Sequence, residues 1–164
     1  RAAPRAAIMG ASTYRRRTMF RTTQAFIDRL ESDGLKYKLL GKTHGGDEAV
    51  SLVFDGDEDA AELHLLCIFA QNGSSAALRI LRAVQVAEGK HLDALIALQD
   101  CNARYRFVKF CFPGEDERSV QMEMDVLFLP EMRPDLCADL CVKGMQLMLS
   151  ICAEAVPELR QLLS

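Results

Sequence analysis

A change of hydrophobic period near residue 102 constrains the fold more than any other feature of the sequence. Before this point apolar residues recur at helical spacing, at Leu92, Leu95, Ile96 and Leu98. After it they recur at every second position, at Val108, Phe110 and Phe112. Residues Asn102 to Phe110 therefore join a helix to a strand. We expect Asn102 to end that helix in the left-handed conformation that asparagine tolerates.

The same two-residue alternation predicts four strands before this joint. Their apolar positions are Tyr37 and Leu39, then Val50, Leu52 and Phe54, then Leu63, Leu65, Cys67 and Phe69, then Leu78, Ile80, Val84 and Val86. The connections between them are short and rich in glycine, serine and acidic residues, which is typical of turns between antiparallel neighbours. These four strands should form an antiparallel meander.

Two further strands are predicted after the joint, from Tyr105 to Phe112 and from Val120 to Phe128. If they form a hairpin with their apolar faces together, Phe110 lies opposite Met122 and Lys109 lies opposite Glu123. Glu123 would then form an ion pair with Lys109.

Three helices complete the predicted order. The first begins at Thr22 or Thr23 and ends at Gly34, the second covers Lys90 to Ala103, and the third runs from Asp135 to Leu163. The order α-β-β-β-β-α-β-β-α predicts an α+β fold with the helices packed on one antiparallel sheet.

The third helix is apolar around most of its circumference. One stripe suits the sheet, at Cys137, Cys141, Met145, Met148, Cys152, Val156, Leu159 and Leu163. Another set must then lie to the side or outward, at Leu136, Leu140, Leu147 and Leu149. Packing inside the core is the plainer interpretation of the methionine-rich stripe, and a groove for a partner helix is the alternative. The four leucines form a candidate protein-interaction surface, and a homodimer would cover it.

The cysteines indicate a reducing compartment. All six lie in apolar stretches without a Cys-x-x-Cys pair, so we expect buried thiols in a cytoplasmic protein. Cys137 and Cys141 are one helical turn apart, but no histidine or acid cluster completes a metal shell around them. The acidic run Asp55 to Asp59 lacks the glycine and glutamate that a calcium loop needs further along. The sequence predicts neither a metal nor a cofactor.

Charge divides the chain into a basic tail and an acidic body. Residues 1–21 hold six arginines and no acid, which leaves the rest with 14 basic and 23 acidic side chains, or −9. We expect 1–18 to be a disordered tail and 19–164 to be one domain. An acidic body argues against nucleic-acid binding except through the tail. No apolar run approaches the roughly 20 residues of a membrane helix, so no membrane partner is expected.

The joint also resembles a known family. The stretch from Leu98 to Phe110 reads Leu-Gln-Asp-Cys-Asn-Ala-Arg-Tyr-Arg-Phe-Val-Lys-Phe and is similar to the signature of the YbjN family, which is associated with bacterial sensory transduction regulators. The resemblance implies a fold like that of type III secretion chaperones, a small dimeric domain that binds a protein, and no enzymatic activity.

Two functions therefore compete. The first is a non-enzymatic, cytoplasmic regulatory or chaperone-like module that binds a polypeptide. The second is a small ligand-binding or enzymatic domain in which Arg104, Arg106 and Lys109 hold an anion. These cations could equally pair with acids across the hairpin.

Overall fold

The computed structural model describes residues 19–54, 62–114 and 118–164. The basic tail, the acidic run Asp55 to Asp59 and residues 115–117 of the last hairpin turn lie outside these ranges. The described elements follow in the order α1 (Arg21–Ser32), β1 (Lys38–Lys42), β2 (Glu48–Phe54), β3 (Leu63–Phe69), β4 (Ser75–Gln85), α2 (His91–Arg104), β5 (Lys109–Cys111), β6 (Ser119–Leu127) and α3 (Pro134–Leu163). The predicted α+β order is confirmed.

All described strands belong to one antiparallel sheet with the order β1-β2-β3-β4-β6-β5. The first four form the predicted meander because each connection is too short for a parallel crossover. The hairpin of β5 and β6 adds to the same sheet through β6, which pairs with β4. The predicted register is confirmed, since Phe110 lies opposite Met122 and Lys109 lies opposite Glu123. The sequence pattern did not indicate which strand of the hairpin would join β4.

The ion partner predicted for Glu123 was wrong. The Arg79 side chain approaches Glu123 at 3.6 Å and Asp125 at 2.9 Å. Arg79 also donates to the carbonyls of Leu78 and Met124, and these four contacts hold its guanidinium between β4 and β6. Arg79 pairs with Glu123 in place of Lys109 because Arg79 is on β4, the central neighbour of β6. Lys109 is exposed on the short edge strand β5.

The core fills the space between one face of the sheet and the helices. Phe26 of α1 packs on Phe69 of β3 with ring centroids 5.3 Å apart, and α3 crosses β4 and β6. Gly144 marks the closest approach of α3, because a Cβ there would meet Leu78 Cδ1 at 2.9 Å and Met124 Sδ at 3.1 Å. The opposite face of the sheet exposes Val53, His64 and Leu81, among others.

Asn102 does not end α2 in a left-handed conformation, so that prediction was wrong. The helix continues to Arg104, and Arg82 is the only non-glycine residue with positive φ in the described ranges. Instead, the Asn102 side chain reaches the edge strand β5. Its Oδ1 accepts the Phe110 N–H at 2.8 Å and its Nδ2 donates to the Phe110 carbonyl at 3.0 Å. A residue of an antiparallel strand directs its N–H and its carbonyl to the same side of the strand. Asn102 therefore supplies the hydrogen-bond partners that Phe110 lacks on the outer edge of β5.

The remaining differences concern element ends. Strand β5 is only Lys109–Cys111, shorter than the predicted Tyr105 to Phe112, because residues 105–108 form the bend that brings β5 back along α2. Helix α3 begins one residue earlier than predicted, at Pro134, a residue that suits the first helical turn.

Helix α3 has the length and the apolar composition that a membrane span requires. An 18-residue window has a mean hydropathy of 1.5, and α3 is the one described helix that is long and apolar enough by length and composition. The expectation that no stretch approaches such a span was therefore wrong. Half of that window is buried inside the protein, so the need to cover the central strands is sufficient to explain the composition.

Candidate protein-interaction surface

Helix α3 divides its apolar residues between two sides. The predicted sheet-facing stripe is buried at every position. On the solvent side Leu136, Leu140 and Leu147 expose 38–49 % of their surface, whereas Leu149 is half-buried and packs against the core. Three of the four leucines predicted as an interaction surface thus lie on the outer side of α3, and we call Leu136, Leu140 and Leu147 the α3 crest.

Neighbouring charges border the α3 crest. The Arg29 side chain of α1 forms an ion pair with Asp139, one residue before Leu140, and with Asp33 at 2.9 Å. The Asp33 carboxylate raises the pKa of Arg29. Lys143 is exposed on α3 between Leu140 and Leu147, and no ion pair involving it is formed among residues 19–54, 62–114 and 118–164. The α3 crest is therefore a row of exposed leucines that is interrupted by the exposed ammonium group of Lys143.

Two thiols on the buried side of α3 have raised pKa values. Burial raises the pKa of Cys141 to about 12 and that of Cys152 to about 11, so both remain protonated at neutral pH and are poor nucleophiles. Cys111 is half-buried on the other side of the protein, where burial and then the Glu123 charge raise its pKa to about 11. Within the described ranges, no group of three His, Cys, Asp or Glu side chains could hold a metal ion.

The three cations proposed for an anion site are not brought together. Arg104 forms an ion pair with Glu158 of α3 at 3.2 Å and lies 5.7 Å from the Tyr105 ring centroid. Lys109 alternates with the buried Phe110, so its side chain projects from the opposite face of the sheet. Arg106 is exposed in the bend after α2. A single small anion could not contact all three in this arrangement.

The clefts of the described residues are small. One of about 300 Å³ is lined by Val86, Ala87, Glu88, Gly89, His91 and Arg118, which is the lower limit of volumes typical of ligand pockets. His91 stacks on Phe112 there, with ring centroids 5.3 Å apart. The other two histidines are elsewhere, His44 in the β1–β2 turn and His64 on β3.

Sequence reasoning missed a second apolar surface, on α2. Leu92, Leu95 and Ile96 point outward and are 45–68 % exposed, and Phe107 in the following bend is 67 % exposed. We call these four residues the α2 face. The buried side of α2 is formed mostly by smaller residues, Ala94, Ala97, Leu98 and Cys101. The signal in the sequence was two apolar faces on one helix, of which the outer has the larger side chains.

Comparison with known proteins identifies the fold. No protein-family profile and no curated protein matches the sequence. The α+β arrangement is nevertheless YbjN-like: the structure is similar to that of YbjN from E. coli, a candidate transcription regulator, with a TM-score of 0.55. The two sequences are 12 % identical, and the match covers 87 % of this chain and 95 % of YbjN. The expected YbjN-like fold is therefore confirmed, whereas no comparison tests the sequence resemblance of the joint.

Proposed function

We propose that this protein is a non-enzymatic regulatory module of the cytoplasm that binds a segment of another polypeptide on the α3 crest. Likeness to YbjN supports a regulatory or binding module, because that protein is described as a candidate transcription regulator. The buried, protonated thiols are consistent with a reducing compartment.

The α3 crest is the observation that carries this proposal. Three leucines at helical positions 136, 140 and 147 leave 38–49 % of their surface in water, although the other side of the helix is fully buried. Covering what remains exposed on all three would contribute roughly 2–4 kcal/mol. That gain is modest, as suits a regulatory contact that must form and dissociate.

The geometry favours an amphipathic helical segment as the partner. An apolar row along an exposed helix matches the apolar stripe of a second helix, which is a recurring form of peptide recognition. Lys143 lies between Leu140 and Leu147 and would attract an acidic residue beside the partner's apolar stripe.

The rival function is an anion-binding or enzymatic domain that uses Arg104, Arg106 and Lys109. It requires these cations to converge, and the ion pair of Arg104 with Glu158 and the opposed direction of Lys109 weigh against it. The protein-binding proposal needs no such rearrangement.

A capture experiment with matched variants tests the proposal. The wild-type chain, the Leu140→Glu/Leu147→Glu variant and the control Leu40→Glu would be immobilised and exposed to cytosol of the source cell. Leu40 is a half-exposed leucine of β1 that is not part of α3. We expect a polypeptide retained by the wild type and by Leu40→Glu and lost from the double variant. Equal retention by all three proteins would contradict the proposal.

A further inference from the structure

We infer that the face of the sheet opposite the helices docks an acidic amphipathic helix of another polypeptide. The apolar centre of this surface consists of Val53 on β2, Leu66 and Ile68 on β3, and Leu81 on β4, and we call these four residues the open face. Helix α3 packs on the other side of the sheet. The inference therefore does not depend on what the α3 crest binds.

Strand β3 has the composition of a strand that is covered on both faces. Its buried side carries Leu65, Cys67 and Phe69, and its outer side again carries large aliphatic residues, Leu66 and Ile68. An antiparallel strand with one face in water normally alternates apolar with polar residues, whereas a continuous apolar run is typical of strands buried on both faces. The helices of the described ranges pack on the buried side, and none of them covers the outer side of β3.

Three neighbouring strands give the open face the width of one helix. Val53 lies opposite His64 of β3, and His64 lies opposite Leu81 of β4, so Val53 and Leu81 point to the same side two strands apart. They leave 46 % and 37 % of their surface exposed. Two strand spacings are about 10 Å, which is about the diameter of an α-helix with its side chains. From this row to Ile68 the open face extends about 13 Å along β3, which matches two to three helical turns.

Two cations flank the open face. Lys38 lies on β1, opposite the outward Ser51 of β2, and Arg82 directly follows Leu81 on β4. Both are exposed, and neither forms an ion pair with a residue that the structure describes. The acids on this side of the sheet lie beside other cations, Glu62 beside His64, and Glu123 and Asp125 beside Arg79. A helix with carboxylates on both flanks of its apolar stripe is complementary to this surface.

The backbone at Arg82 indicates a use for its side chain. Arg82 has a φ of 51°, and it is the one non-glycine residue with positive φ in the described ranges. It lies in an irregular stretch of β4, where residues 81–83 stand opposite Gln121 alone. This conformation is strained for arginine and free of strain for glycine. Strained residues cluster at binding and switch sites, so the exposed arginine points to a function of its charge.

Two synthetic peptides of about 15 residues test the chemistry of the partner on the full chain. Both have leucine at every third or fourth position, and the leucine stripe is flanked by glutamate in one peptide and by lysine in the other. In fluorescence anisotropy at low salt we expect the glutamate peptide to bind about 5-fold more tightly or better, and this preference should shrink at high salt. Residues 22–164 carry a net charge of −9, so nonspecific attraction would favour the lysine peptide. Equal binding, or a preference for lysine, would overturn the inference.

Methyl NMR spectra would locate the bound glutamate peptide. We expect the largest shift changes at the open face and not at the α3 crest. Val53→Glu/Leu81→Glu should weaken binding about 5-fold or more, whereas Leu140→Glu/Leu147→Glu should stay within about 2-fold of the wild type. Shift changes centred on the α3 crest, or equal weakening by both double variants, would overturn the inference.

Arg82→Gly separates binding from folding. It should weaken the glutamate peptide about 2- to 5-fold, while its melting temperature should equal or exceed that of the wild type, because glycine adopts a positive φ without strain. Lys38→Gln should weaken binding to a similar degree. The control Lys143→Gln removes a cation from the α3 side of the protein and should leave the affinity within about 1.5-fold of the wild type. Wild-type affinity in both Arg82→Gly and Lys38→Gln would overturn the charge complementarity.

Sedimentation velocity distinguishes a second copy of the chain as the occupant. Val53→Glu/Leu81→Glu should sediment as the wild type does from about 1 to 100 μM, because the open face holds another polypeptide and not this one. An oligomer that is present in the wild type and lost in this variant would show that a second copy covers the open face, and would overturn the inference.

Discussion

The side chain of Asn102 should be a large single contributor to stability outside the apolar core. Replacing it with alanine removes both hydrogen bonds to Phe110 and leaves the N–H and the carbonyl of Phe110 without these partners. A net protein hydrogen bond contributes about 0.5–1.5 kcal/mol, so two give about 1–3 kcal/mol. Water can reach a partly buried strand edge and replace some of this, so we expect Asn102→Ala to lower the free energy of unfolding by about 2 kcal/mol.

Denaturant titration and thermal melting would measure this loss. For a chain of this size it corresponds to a melting temperature about 4–8 °C lower. Asn102→Asp should lose about as much, because aspartate still accepts the Phe110 N–H but places a carboxylate against the Phe110 carbonyl. The control is Gln99→Ala, an exposed change on the same helix that should stay within about 0.5 kcal/mol. If Asn102→Ala matched the control, the hydrogen-bonded connection between α2 and β5 would not be a stabilising element.

Three further predictions concern the core. Gly144→Ala should lower the free energy of unfolding by about 1–3 kcal/mol in denaturant titration, because its Cβ would contact Leu78 and Met124 too closely; unchanged stability would mean that α3 can shift away from β4. Met124→Asp should give an unfolded or insoluble protein, whereas Glu123→Ala should remain folded, since only Met124 faces the core; equal thermal shifts would contradict the assigned faces. The wild type should lose about 2 kcal/mol between pH 9 and pH 11 in denaturant titration through Cys152 alone, because burial raises its folded pKa to about 11 and the unfolded thiol ionises near its ordinary pKa of 9.0. Cys152→Ala should show correspondingly less alkaline loss, and an identical pH slope for both proteins would refute that assignment.

The order of elements and the hairpin register could be read from the sequence because they depend on local periods. Alternation placed Phe110 opposite Met122, and a one-residue slip would have turned every side chain of β5 to the wrong face. Asn102 was misassigned for a related reason: its local preference for a helix end competes with a hydrogen-bond partner eight residues away. Local propensity cannot indicate whether Asn102 ends the helix or bonds to the distant strand.

The candidate surface was only partly predictable. The exposure of the crest leucines could be predicted because the sheet can cover only a stripe of limited width on α3. Leu149 lies to the side of α3, as expected, but its contact with the core is tertiary and could not be read from the helical pattern. The α2 face was missed since Leu92, Leu95 and Ile96 look like core residues in sequence. Only the structure shows that Ala94 and Ala97 occupy the buried side.

Site-specific photocrosslinking in the source cell would test the central proposal most directly, namely that the α3 crest holds another polypeptide. A photoreactive amino acid would replace Leu140, Leu147 or the control Leu40 in separate variants of the full chain. We predict that positions 140 and 147 crosslink to the same heterologous polypeptide and that position 40 does not. Absence of a heterologous product at both crest positions, or the same product at equal yield from position 40, would contradict the account.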